Sequence, residues 1–166
     1  ASGDFGVRRS FSPVSVGELW LSFTFLDEGD AANHWAGVSF FDSEGNEVSF
    51  VGKPWNAQYS GIGNLPGGDS LAEGVDYKQP HHYVVRYLLK DGPGQNDSVY
   101  LWIDPDKDDR IDTYDAGGEN NDEIFNIATL RLARGDGSGS AYLDNIWIDS
   151  VPAIAPAGAG RVDLKL

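Results

Sequence analysis

A run of carboxylates between positions 104 and 115 is the part of this sequence best suited to chemistry. It follows directly on the apolar and aromatic segment 98–103. Its candidate ligands are the side chains of Asp104, Asp106, Asp108, Asp112 and Asp115 and the main-chain carbonyl of Arg110. Carboxylates this close together need a cation or full solvation at neutral pH. Calcium prefers cages of such oxygen ligands, so the segment predicts a Ca²⁺ site. A solvated acidic turn on an acidic protein is the alternative.

The spacing of these ligands resembles the calcium loops of EF-hands and dockerins, which place oxygens at positions 1, 3, 5, 7, 9 and 12. Ile111 falls at position 8, where such loops carry an apolar residue. The chain departs from the pattern at position 6, where Asp109 replaces Gly, and at position 12, where Asp115 replaces Glu. No helix-forming run flanks the segment, so we expect a calcium loop between β-strands. The sequence itself supplies nearly all the oxygens, which favours a structural ion over one that contacts a ligand.

Composition sets the broad limits on function. A chain of 166 residues suits one domain, and its 21 glycines indicate many turns and short strands. The formal charge of −14 argues against nucleic acid and anionic membrane surfaces as partners, and against a strongly anionic polysaccharide unless calcium bridges it. The chain has no Cys, which excludes disulfides and thiol chemistry, and no apolar segment is long enough for membrane insertion. It has no Met, from which we expect it to begin inside a longer protein or after a removed signal.

Short runs with alternating apolar and polar residues, bounded by Gly, Asp and Asn, predict β-strands. The predicted strands cover 17–26, 35–41, 48–52, 81–90, 98–103, 125–133 and 141–149. The segment 42–47 predicts a tight hairpin in which Gly45 and Asn46 take positive φ angles. Residues 56–79 read as a long surface loop. This pattern predicts an all-β fold of two packed antiparallel sheets over residues 1–150, followed by an Ala/Gly/Pro-rich linker or tail at 151–166.

Several segments in order resemble a known superfamily. The segment 141–149 is similar to the closing strand of concanavalin A-like and laminin-G-like jelly rolls. The segments 19–23, 36–42, 50–55, 83–87 and 99–105 continue the likeness, which resembles a secreted bacterial branch of the superfamily. The resemblance implies a jelly-roll β-sandwich. Lectins, carbohydrate-binding modules, glucanases and polysaccharide lyases all share this fold, so it implies the fold more than the activity.

The motifs of catalysis in that superfamily are not found in this sequence. Retaining glucanases of the fold carry Glu-x-Asp-x-x-Glu on one strand, and the acidic segment 119–123 has the wrong spacing. We expect Glu44 and Glu47 to be solvated beside the hairpin turn. His81 and His82 offer residue types that lyases use, but without a lyase signature they indicate a polar strand start. We therefore assign no catalytic residue.

Aromatic residues in loops, beside amides and charges, are the best candidates for sugar contacts. Trp55, Tyr59 and Trp35 rank first on this basis, and Tyr77 and His82 follow. Packing in the core is the alternative for each of them.

We therefore expect a non-catalytic, calcium-stabilised carbohydrate-binding module, whose partner is a polysaccharide or other glycan. We expect it to be secreted or at the cell surface of a bacterium, as part of a larger multidomain protein. Two alternatives stay open: a structural or adhesive domain of a surface protein, and a lyase or glycosidase with a diverged site.

Overall fold

In the computed structural model, strands make up the regular secondary structure of the residues described. The structure describes residues 5–29, 32–64, 68–90, 96–106, 113–119, 126–135, 139–150 and 164–165. These ranges hold no helix long and apolar enough to cross a membrane. The strands are β1 Phe5–Val14, β2 Gly17–Asp27, β3 Trp35–Phe41, β4 Glu47–Lys53, β5 Gly61–Gly63, β6 Ser70–Leu71, β7 His81–Leu89, β8 Ser98–Ile103, β9 Ala116–Glu119, β10 Ile127–Gly135, β11 Ala141–Asp149 and β12 Leu164–Lys165.

The strands form two six-stranded sheets, and the neighbouring strands in each pair antiparallel. Sheet A has the order β1-β10-β3-β4-β5-β6, and sheet B has the order β12-β11-β2-β7-β8-β9. The predicted all-β sandwich of two antiparallel sheets is therefore confirmed.

One core lies between the sheets, because each strand turns alternate residues inward. In sheet B the inward positions of β2 carry Leu19, Leu21, Phe23 and Phe25, as the alternation predicts. Sheet A contributes a matching inner face of fully buried residues: Ala36, Val38, Phe40 and Val51. Each large apolar side chain buried in this way contributes about 1.5–3 kcal/mol before the entropy of ordering opposes it.

Several strands lie where the sequence indicates none. β1 precedes the first predicted strand, and β5 and β6 lie inside the predicted surface loop 56–79. At the C-terminal end, β12 pairs with Tyr142 and Leu143 of β11, within the segment predicted as a tail. Residues 151–163 of that segment lie outside the described part of the chain.

The hairpin between β3 and β4 differs in detail from the prediction. Gly45 has the expected positive φ of 91°, but Asn46 does not adopt one. The turn is stabilised by the carboxylate of Asp42, which accepts hydrogen bonds from the main-chain N–H of Glu44 at 2.9 Å and of Asn46 at 2.8 Å. Together with the side-chain amide of Asn46, these donors hold the pKa of Asp42 below its usual value.

Candidate functional site

A groove of about 290 Å³ opens on the outer face of sheet A. Leu130 and Leu132 of β10 point into the core, so Arg131 between them points outward into the groove. Aromatic rings and polar groups share the lining. The aromatic residues are Trp35, Phe50 and Trp55, and the polar ones are Glu47, Asn64, Asp69 and Arg131.

Trp35 begins β3 and lies opposite Gly135, its cross-strand neighbour on β10. A Cβ atom at position 135 would lie 2.0 Å from Nε1 of Trp35, so the indole packs against a place that only Gly leaves open. The ring meets Phe50 edge to face, with centroids 5.9 Å apart and planes at 83°. This packing fixes one aromatic wall of the groove.

Trp55 is the exposed aromatic residue of the lining, with 47% of its surface accessible. It sits in a tight turn after β4, where the N–H of Ala57 donates to the carbonyl of Pro54 at 3.2 Å. The neighbouring Asn56 accepts a hydrogen bond from the main-chain N–H of Asn33 through its side-chain oxygen. This bond ties the turn that carries Trp55 to the segment that leads into Trp35.

Arg131 is the cation of the groove, and neighbours on several sides hold it. Its Nη2 donates to Oε2 of Glu47 at 2.9 Å and to Oγ of Ser39 at 3.1 Å. Its guanidinium lies 5.3 Å from the ring centre of Trp35 and 4.9 Å from that of Phe41, within the range of cation–π attraction. The guanidinium is thus positioned by strands β3 and β4 before any ligand arrives.

Glu47 is not the solvated turn residue that its sequence position suggests. It begins β4, and its side chain is 24% exposed. Oε1 accepts a hydrogen bond from Nδ2 of Asn64 at 2.6 Å, and Oε2 accepts one from Arg131. Burial raises the pKa of Glu47 above its usual value, although Arg131 and Asn64 act in the opposite direction.

Asn64 links the two carboxylates of the groove. Its side-chain amide donates to Glu47, and its main-chain N–H donates to Oδ1 of Asp69 at 3.3 Å. Its φ of 60° lies in the left-handed region, which Asn tolerates better than most residues. Asp69 itself is exposed at the groove edge.

A buried polar network of Asp27, His34 and Lys53 lies close in sequence to Trp35 and Trp55. His34 precedes Trp35, and Lys53 is two residues before Trp55. Nζ of Lys53 donates to the carbonyl of His34 at 2.6 Å, and Nε2 of His34 lies 2.8 Å from Oδ1 of Asp27. The side chains of all three network residues are fully buried. Burial lowers the pKa of Lys53, which the charge of Asp27 partly offsets.

The structure brings two of the five predicted sugar-contact residues together, Trp35 and Trp55. Tyr59 is half-buried in the β4–β5 connection and does not line the groove. Tyr77 lies in the core with 4% exposure, where its ring is 5.8 Å from Nζ of Lys53. His82 lies on the outer face of sheet B, where burial lowers its pKa.

The polar residues of the groove, among them Glu47 and Arg131, were not predicted from the sequence. Glu47 and Arg131 are 84 positions apart, and only the pairing of β3 with both β4 and β10 brings them together. The single local signal was the placement of Arg131 between Leu130 and Leu132, which marks an outward position on a strand.

The remaining tryptophans lie on the outer face of sheet B rather than in the groove. Trp20 and Trp102 are 7% and 5% exposed, and their rings stack with centroids 6.0 Å apart. Arg86 lies 5.6 Å from the ring centre of Trp20 and pairs with Glu18. Trp147 packs against this cluster.

The predicted calcium loop begins where β8 ends. Asp104 has a φ of 53°, and its Oδ1 accepts a hydrogen bond from the N–H of His82 at 2.7 Å. Its Oδ2 lies 2.5 Å from Nδ1 of His81. Partial burial opposes ionisation, but these hydrogen bonds hold the pKa of Asp104 below its usual value.

The two ends of that loop meet beside β8. Asp115 accepts a hydrogen bond from the N–H of Ile103, the residue before Asp104, at 2.6 Å and donates its own N–H to Leu101 at 2.8 Å. These bonds place position 12 beside the end of β8, the strand that position 1 follows. Asp106 is exposed, and Asp108, Arg110 and Asp112 lie outside the described residues. Within the described ranges, no three acidic or His side chains form a metal-sized group.

Two antiparallel sheets around one core, with a groove on the outer face of one of them, define a jelly-roll β-sandwich. The globular domain of T. cruzi calreticulin is similar in structure, with a TM-score of 0.54 and 11% sequence identity over 90% of this chain and 70% of that one. So is a double mutant of the alginate lyase Aly36B in complex with an alginate tetrasaccharide, with a TM-score of 0.60 and 12% identity over 89% of this chain and 74% of that one. No protein-family model and no curated protein sequence matches the chain.

Proposed function

We propose that the protein is a non-catalytic carbohydrate-binding module and that the groove on sheet A is its glycan site. The observation that carries this proposal is Trp55, a half-exposed indole beside Trp35 in a groove that also holds carboxylate, amide and guanidinium groups. Sugars bind to flat aromatic faces through their C–H patches, while such polar groups take the hydroxyls. The alginate lyase with a bound tetrasaccharide supports the proposal by analogy of fold.

The arrangement around Glu47 favours binding over hydrolysis. Glycosidases need one carboxyl group that can give up a proton to the leaving oxygen. Glu47, the partly buried carboxyl of the groove, accepts hydrogen bonds from Arg131 on one oxygen and from Asn64 on the other. Burial raises its pKa, but both contacts favour the ionised form, which accepts hydrogen bonds from sugar hydroxyls.

Replacing Trp55 by Ala should weaken glycan binding about tenfold or more, since losing one well-buried apolar contact costs about 1.5–3 kcal/mol and 1.4 kcal/mol is tenfold. The measurement is a glycan array followed by titration calorimetry on the glycans that bind. Incubation of the same glycans with the native protein should release no new reducing or unsaturated ends.

Val16→Ala is the control, because Val16 is 58% exposed and lines neither the groove nor the proposed calcium loop. It should leave affinity unchanged. Binding that survives Trp55→Ala, or no binding to any glycan on the array, would refute the proposed site.

We also propose that residues 104–115 bind one structural Ca²⁺ through Asp104, Asp106, Asp108, the carbonyl of Arg110, Asp112 and Asp115. The ligand spacing supports this proposal, and so does the placement of position 12 beside the end of β8. The ion would supply positive charge to a carboxylate-rich loop at the end of that strand.

Removal of calcium should lower the melting temperature, because a ligand that binds only the folded state stabilises it by about 2.7 kcal/mol at 100 times its Kd. Melting is measured in millimolar Ca²⁺ and in EDTA. Asp106→Ala should abolish the difference, while Glu73→Ala, which removes an exposed carboxylate outside the loop, should preserve it. Equal melting of the native protein in both buffers would rule out the ion.

We further propose that the domain belongs to a larger, secreted bacterial protein. The acidic composition and the resemblance to secreted jelly rolls support this context. A domain of this kind would hold its parent protein on a polysaccharide.

A further inference from the structure

The charges in the groove bear on which sugars it accepts. Two carboxylates, Glu47 and Asp69, line it together with one cation, Arg131. Arg131 already donates to Glu47 and Ser39 and lies between the rings of Trp35 and Phe41. Its charge is therefore largely balanced by Glu47, which leaves the carboxylate of Asp69 at the groove edge.

Of the cations outside the lining, Arg8 acts on Glu47 and Lys53 is buried on the other face of the sheet. Arg8 lies 4.7 Å from the ring centre of Phe41 and helps to lower the pKa of Glu47, but it does not line the groove. Lys53 is fully buried on the inner face of β4. The formal net charge of the whole chain, groove residues included, is −14.

The hydrogen-bonding groups of the groove also disfavour an anionic sugar. Carboxylates accept hydrogen bonds and donate none while ionised, so Glu47 and Asp69 make the groove rich in acceptors. A sugar hydroxyl donates a hydrogen bond to such a group. The carboxylate of a uronic acid can only accept, and it also brings a like charge within a Debye length of about 8 Å at physiological salt.

We propose that the groove selects uncharged sugars and rejects uronates, so that its ligand differs in charge from the alginate bound by the structurally similar lyase. This inference rests on the proposed function and concerns the same groove. Asp69 is its main specificity determinant, because it is the exposed carboxylate of the lining, whereas Glu47 is partly buried and hydrogen-bonded to Arg131.

The test compares the Kd values of an alginate tetrasaccharide and of neutral gluco-, manno- and xylo-oligosaccharides by titration calorimetry. We expect at least one neutral ligand to bind ten times or more tighter than the alginate. The ratio should fall when NaCl is raised from about 0.05 to about 0.5 M, since salt screens exposed charges. Each titration is run in Ca²⁺ and in EDTA, because calcium could bridge alginate to the protein.

Asp69→Asn keeps the size of the side chain and should lower the ratio severalfold. Glu73→Gln makes the same change of charge on an exposed residue outside the groove and should leave the ratio as it is. An unchanged ratio in Asp69→Asn, or equal shifts in both variants, would overturn the inference. If alginate binds more tightly than every neutral oligosaccharide in EDTA, and Trp55→Ala weakens that binding, the inference is overturned while the proposed function stands. If neither alginate nor any neutral oligosaccharide binds, the inference and the proposed function both fail.

Discussion

Lys53→Met should lower the free energy of unfolding by about 3–5 kcal/mol, the cost of removing one partner from a buried charge network. Lys53 is fully buried, donates to the carbonyl of His34 at 2.6 Å, and lies close enough to Asp27 for the carboxylate to raise its pKa. Without the cation, Asp27 is a buried carboxylate whose Oδ2 has no hydrogen-bond partner among the described residues. Urea unfolding followed by tryptophan fluorescence measures the loss.

Two further variants separate charge from packing. Lys78→Met changes an exposed lysine in the same way and should cost less than about 0.5 kcal/mol. The double variant Asp27→Asn, Lys53→Met removes both charges and should be more stable than Lys53→Met alone, because no unpaired charge remains. A single variant as stable as the native protein would show that the network does not stabilise the fold.

The strands that sequence predicts well are apolar runs bounded by turn residues. β3, β8 and β11 have the predicted bounds, because β-branched and aromatic residues between segments of Gly, Asn, Asp or Ser mark a strand whether one face or both faces are buried. β9 contains two consecutive glycines, and β5 has a Gly at each end. Such short, Gly-rich segments have little strand propensity of their own, and pairing with a neighbouring strand makes them part of the sheet.

Of the residues that line the candidate site, only Trp35 and Trp55 were predicted from the sequence. Trp55 follows Lys53-Pro54 at the end of a strand, a local pattern that places a ring in a turn. Glu47 and Arg131 meet through long-range pairing, which no local pattern encodes. Tyr77 has the same kind of local context as Trp55, yet it lies in the core, because the loop that carries it folds back so that its carbonyl accepts a hydrogen bond from the N–H of Asp27.

The proposed calcium loop is the inverse case, because its candidate ligands lie in one contiguous segment. Their spacing predicts the donors, while the sequence does not indicate the two neighbours that contact Asp104. His81 and the N–H of His82 both contact the carboxylate of Asp104, from a strand more than 20 positions away. These contacts hold Asp104 at the mouth of the loop and lower its pKa.

Arg131→Met should weaken glycan binding about tenfold or more and lower the free energy of unfolding by about 1.5–3 kcal/mol, the range for hydrogen bonds to charged groups. The change removes the partner of Oε2 of Glu47 and the cation that packs against Trp35. Arg131→Lys keeps the charge but loses the planar fork, so it should recover only part of both losses. Calorimetry gives the Kd, and urea unfolding gives the stability.

The pH dependence of that stability loss tests its cause. In Arg131→Met, burial is no longer opposed by the guanidinium, so the pKa of Glu47 in the folded state should rise further above the unfolded value of about 4.3. The folded state then binds a proton that the unfolded state releases, and the variant loses stability relative to the native protein as pH rises through this window. Its deficit should therefore be largest at neutral pH and shrink below pH 4. The double variant Arg131→Met, Glu47→Gln should have a smaller stability deficit that does not change with pH. If the deficit of Arg131→Met itself does not change with pH, then lost packing, and not the charge of Glu47, causes it.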